Sequence, residues 1–168
     1  MERYKTFWPR FWAGFIDGLV LLPITLADNH LLSPERGSLL LISWACISYS
    51  ADWLYGVIFL SRYGQTLGKM ATHVKVLNLE EDRIPTVSQA FLRDIGYIII
   101  NCLSLAYFIH LVITHQYTAD ADTSPLPGRI LFYAGIGWFL LEILTMLTNE
   151  KRRALHDFIA STVVIRND

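Results

Sequence analysis

The sequence predicts an all-α membrane protein, a four-helix bundle with a short two-stranded β pair and an interfacial helix on its cytoplasmic side. Three observations predict it. The 168 residues are 53% hydrophobic and only 17% charged, whereas soluble domains carry roughly 25% charged residues. Four apolar stretches approach the about 20 residues that a helix needs to cross a bilayer. Basic residues crowd the segments on one side of those stretches. The length suits a single domain spanning residues 1–168.

The spans are expected at about 11–27, 38–60, 95–114 and 130–148, each bounded by charges or by Pro and Gly. Asp17 inside the first run argues against a signal peptide. Four spans put both termini on one side, which leaves Arg36 and Arg129 as the only two of the 14 Lys and Arg opposite. Short loops with this bias face the cytoplasm, so the chain is expected in the plasma (inner) membrane with both termini inside. The bilayer is then its first partner. The net charge of −1 gives no reason to expect a nucleic-acid partner.

The loop after the second span reads Gly64-Gln65-Thr66-Leu67-Gly68-Lys69. It resembles half of a phosphate-binding loop but fails the pattern. Only three residues separate the glycines, and Met70 rather than Ser or Thr follows the Lys. A helix-end turn is the better reading. Val74–Leu77 and Thr162–Ile165 then have strand character. Lying on one side of the membrane, they are expected to pair as His73–Asn78 with Thr162–Arg166, because a lone strand leaves its backbone groups unpaired. Thr86-Val87-Ser88-Gln89 fits a capping box, so a helix should start there and run into the third span. Leu155, Phe158 and Ile159 recur at helical spacing in a short interfacial helix over Ala154–Ile159.

Polar residues inside the spans are the functional candidates. An ionised Asp at a helix centre costs roughly 2.5–3.5 kcal/mol and therefore faces the bundle interior. Asp17, Asp52, Asn101 and Glu142 each lie about 9–13 Å from a cytoplasmic helix end at ~1.5 Å per residue. Grouped together they form a candidate proton or cation site, since neighbouring acids in low dielectric share protons or hold a cation between them. The plainer reading is that they hydrogen-bond helices together, with Arg10 and Lys69 as charge partners. Asp17 is expected to face inward and to meet Lys69, Arg152 or Asp52. Lys151 is assigned to anionic lipid headgroups at the cytoplasmic face.

Cys46 and Cys102 have no ligand spacing, and no cofactor or metal motif is found. His110 and His115, with Asp120 and Asp122 nearby, read as an interfacial polar group rather than a metal site. No nucleophile–base pair marks an enzyme.

Taken in order, RFWAGFID with Arg10 and Asp17, GQTLGKMATHVKV with Gly64, Thr66, Gly68 and Lys69, and RRALHDFIASTVV with Arg153, His156 and Asp157 resemble the RDD family of small membrane proteins. The family is named for an arginine at the start of the first helix and two aspartates. Arg10 and Asp17 match the first two, and Asp157, with Asp52 as the alternative, stands for the third. Members often carry Gly near the positions of His73 and Ser161. The resemblance implies a multi-pass protein of mostly unassigned role, with cation/proton exchange proposed for some members. Two functions follow: transport of protons or small cations, which in a four-span chain implies a homo-oligomer, or a non-transporting scaffold or adaptor that binds other membrane proteins.

Overall fold

Among the described residues, four long helices, two short ones and one antiparallel strand pair make up the fold. The computed structural model describes residues 2–118 and 126–167; Asp120 and Asp122 lie outside the described residues. After a short 3-10 turn at Glu2–Tyr4 come α1 (Phe7–Leu31), α2 (Ser38–Tyr63), α3 (Leu67–Ala71), β1 (Val74–Asn78), α4 (Val87–Ile113), α5 (Leu126–Leu147), α6 (Leu155–Ile159) and β2 (Thr162–Arg166).

All four expected spans are helical, but among the described residues three are long and apolar enough to cross a membrane: α1 with its preceding turn, α4 and α5. α2 is long enough, at 26 residues. It falls short in apolarity because Ser43, Trp44, Ser48, Tyr49, Ser50, Asp52 and Arg62 interrupt it. Two of these tie it to α1, where Trp44 Nε1 and Ser48 Oγ donate to the Asp28 carboxylate at 2.7 and 2.9 Å. The helix that gathers polar contacts within the bundle is the one that reads least like a span.

α2 and α4 pack together at both ends. Leu41 and Ala45 meet Phe108 and Val112 at one end, and Val57 and Leu60 meet Ala90 at the other. The second cluster continues into the sheet through Val74, Val76 and Val164. The opposite sheet face, Leu77, Val163 and Ile165, is covered by Tyr4 and Ile84. Both faces of the pair are thus buried, which accounts for the nearly unbroken apolar run of β2. The register sets Val76 opposite Val164 and Asn78 opposite Thr162, within the segments that the sequence pairs.

Local signals set the element ends. Thr86 caps α4 through a full capping box with Gln89, so α4 begins about two turns before its apolar part. Gly64 closes α2 at φ +71°, a left-handed conformation that glycine adopts without a Cβ penalty. Gly96 on α4 makes room for the indole of Trp138 on α5, which an added Cβ would overlap.

Candidate functional site

Two polar centres lie where the long helices meet the sheet. The first is built on Asp157 of α6, whose side chain is fully buried. Its Oδ2 accepts from Arg10 Nη1 of α1 at 2.9 Å and from the backbone N–H of Ala154 at 2.9 Å. Its Oδ1 accepts from Arg93 Nη1 of α4 and from Thr162 Oγ1 of β2. Burial pushes this carboxyl up, but the Arg10 and Arg93 guanidiniums, with His156 and the Ala154 N–H, outweigh it. They hold it far below its ordinary 3.8. Arg153 braces the same turn from outside, donating to the carbonyls of Thr162 and Asp157 at 2.9 and 2.8 Å.

His156 extends this network to α5. Its Nε2 lies 3.0 Å from Arg10 Nη2 and 2.9 Å from Arg93 Nη2. Guanidinium groups only donate, so Nε2 is the acceptor and the proton sits on Nδ1. From there it is donated to Glu142 Oε1 at 2.7 Å. Burial and then the Arg93 charge push the imidazole below its ordinary 6.5, outweighing the opposing pull of Asp157 and Glu142. A neutral His156 leaves two guanidiniums facing two carboxylates, a balanced cluster whose members are nearly all hydrogen-bonded. Glu142 also accepts from Trp138 Nε1 at 2.8 Å. Glu142 is therefore a counter-charge of the network.

The second centre is built on Asp17 of α1. Its Oδ1 accepts from Tyr55 Oη at 2.7 Å and from the Gly68 N–H at 2.8 Å, and its Oδ2 from Thr66 Oγ1 at 2.6 Å. Thr66 caps α3, and Tyr55 Oη accepts the Leu67 N–H at 2.9 Å. The Gly64–Lys69 loop is thus a helix end docked on a carboxylate. Gly68 is required by this contact, since a Cβ there would run into the Ala13 carbonyl and the Asp17 carboxyl. The expected basic partner is replaced by neutral donors: Asp17 makes no ion pair with Lys69 or Arg152 among the described residues, although Lys69 lies close by.

Beside Asp17 is a cavity of about 120 Å³ lined by Asp52 of α2, Asp94 of α4, Lys69, Tyr55, Tyr97 and Gly56 among others. By residue exposure Asp52 is open on one side and Asp94 is half-buried. Neither carboxylate accepts a hydrogen bond among the described residues. Gly56 lets Asp94 approach α2 closely; a Cβ there would stand 2.8 Å from Asp94 Oδ2. Lys69 also lines the adjoining cavity of about 190 Å³ with Arg10, Arg93, Glu142 and His156. Burial, then the nearby Arg93 charge, lowers its ammonium below the ordinary 10.5 against the pull of Asp17.

The four intramembrane candidates therefore separate. Asp17 and Asp52 line one cavity, Glu142 belongs to the Arg10–Asp157 network, and Asn101 lines a different cavity between α4 and α5. Lys151, assigned to headgroups, pairs with Glu81 at 3.0 Å and lies over the Tyr4 ring. Sequence reasoning missed Arg93 and Asp94, read as flanking charges of the third span. The Thr86 capping box held the signal, because it puts both residues two turns inside α4 on the side of Ala90 and Tyr97.

The RDD family model matches residues 4–161. The uncharacterized membrane protein YteJ of Bacillus subtilis (strain 168) is 28% identical over 134 residues, covering 71% of this chain and 79% of the relative. No solved structure matches the chain.

Proposed function

The chain belongs to the RDD family of multi-pass membrane proteins, and from that premise we propose that it exchanges protons for small cations at the Asp17–Asp52–Asp94 cavity. The observation that carries this reading is the arrangement of three carboxylates from three helices around one space of about 120 Å³, with Lys69 beside them. Such a volume exceeds the roughly 30 Å³ that one water occupies in the liquid.

The carboxylates divide the work. Asp17 is satisfied by three donors and fixes the geometry. Asp52 and Asp94 keep their oxygens free to take a proton or ligate a cation. If both ionise they repel each other in a medium that screens poorly, so binding a cation and releasing a proton are coupled.

In this proposal α2 is the fourth span, and both termini and the sheet lie in the cytoplasm, as the distribution of Lys and Arg favours. Cysteine introduced at Asp82 is then closed to an impermeant external reagent, and cysteine at Arg36 is open to it. Purified protein in liposomes should drive cation flux against an imposed pH gradient. Asp94→Asn and Asp52→Asn should abolish it while leaving the protein folded. Absence of flux from wild-type protein under all small monovalent cations would instead favour the scaffold role.

A further inference from the structure

The cavity between α4 and α5 has a different chemistry from the two nearer the sheet. It measures about 650 Å³ and lies in the half of the bundle away from the sheet, with Tyr49 of α2 on its third side. This is within the 300–1,000 Å³ range of small-molecule sites. Its wall is largely aromatic and aliphatic, and among the described residues no charged side chain lines it. Phe132 and Phe139 are at once lining residues and exposed on the outer surface, so the cavity opens sideways toward the lipid.

Three polar groups of α4 face this space without partners. The Tyr107 hydroxyl is buried and makes no hydrogen bond; among the described residues it is the single buried side-chain polar atom in that state. Ser104 and Asn101, about one and two turns earlier on α4, also line the cavity. Neither side chain makes a hydrogen bond among the described residues. Elsewhere in the long helices Ser43, Ser50, Thr114 and Thr145 satisfy their hydroxyls on the carbonyl one turn back. Polar atoms left unpaired in a membrane interior cost several kcal/mol. Spacing at 101, 104 and 107 aligns all three along one side of α4.

We propose that this cavity binds an uncharged amphiphile from the bilayer, one that brings a carbonyl oxygen to Tyr107, Asn101 and Ser104 and an apolar body to the aromatic wall. The uncharged lining among the described residues favours a neutral molecule, because an ion against it would be desolvated without a counter-charge. All three side chains can donate, and a carbonyl accepts without needing to donate in return. The sideways opening gives a bilayer-dissolved molecule its route in. Two sources share this chemistry, a quinone ring and the ester groups of a diacylglycerol. The Phe108, Phe132 and Phe139 rings favour the flat one, since they stack on a planar partner.

The test is saturable photolabelling of the full chain in nanodiscs, using a diazirine-bearing benzoquinone and, separately, a diazirine-bearing diacylglycerol. Label is expected on α4 and α5 peptides, with competition by the unlabelled form of the same molecule. The stronger competitor identifies the source. Gly135→Leu should abolish the saturable label: Gly135 lines the cavity and a Cβ there meets nothing within 4 Å, so the larger side chain grows into the empty space. Tyr107→Phe, which removes one oxygen, should weaken binding about 3–10-fold with the fold intact. Three results overturn the proposal: label that does not saturate with either probe, label unchanged in Gly135→Leu, or affinity unchanged in Tyr107→Phe. Should Gly135→Leu fail to fold, Tyr107→Phe decides alone.

Discussion

Arg10 and Asp157 meet at 2.9 Å, tying the start of the first long helix to the short helix near the end of the chain. The same carboxylate takes Arg93 from α4, so one buried charge holds three segments together. Removing one member of a buried pair leaves the others uncompensated, at a cost of roughly 3–5 kcal/mol. Asp157→Asn is expected to lower stability by about that amount, read as a fall in melting temperature in detergent. Lys5→Gln, at an exposed pair with Glu2, should leave it unchanged.

The neutral state of His156 makes stability depend on pH. Its folded pKa lies below the ordinary 6.5, so between the two values the unfolded chain binds the extra proton. The contribution is present in full above about pH 6.5 and is lost as pH falls below it. Protonating Nε2 would also turn an acceptor for two guanidiniums into a repelling donor. His156→Gln, whose amide can accept from the arginines and donate to Glu142, should show a shallower loss of melting temperature from pH 6.5 to 5. Asp157 adds its own loss only at lower pH, below its ordinary 3.8.

Gly68 and Gly135 should respond in opposite ways to the same substitution. Gly68→Ala puts a methyl group into the Ala13 carbonyl and the Asp17 carboxyl, and overpacking of that kind costs about 1–3 kcal/mol. Gly135→Ala meets open space and gains up to about 1 kcal/mol of helix propensity. Thermal unfolding of the two variants in parallel checks both signs.

His73 and Ser161 turn the chain into β1 and β2 at φ 54° and 51°, the positions near which the family resemblance implies glycine. A side chain in that region costs roughly 1–2 kcal/mol, partly offset by the greater entropy glycine loses on folding. His73→Gly and Ser161→Gly are each expected to stabilise by a few tenths to about 1 kcal/mol. A loss of stability in both would show that their side chains outweigh the backbone strain.

The strands, the capping box and the short helix before β2 were legible in the sequence because each rests on local chemistry: β-branched runs, Thr86 with Gln89, and the Leu155–Phe158–Ile159 spacing. The partners of Asp17 were not. Two of its three donors are hydroxyls and the third is a backbone N–H of Gly68, and a backbone donor leaves no mark in residue type. Glu142 looked like Asp17 by depth alone; its commitment to His156 depends on how α5 and α6 meet, which no periodicity records. Arg93 and Asp94 were hidden by reading charge as the end of a span, when the helix had already begun at Val87.

The exchange proposal is tested most directly by proton release at equilibrium. Purified protein in weakly buffered detergent, mixed with a pH indicator, is titrated with sodium or potassium chloride, using choline chloride as the control. Competition at the Asp52–Asp94 cavity predicts saturable acidification by at least one of the metal cations, absent with choline, and lost in Asp94→Asn without loss of Tm. No release from wild-type protein, or equal release from Asp94→Asn, would contradict the account.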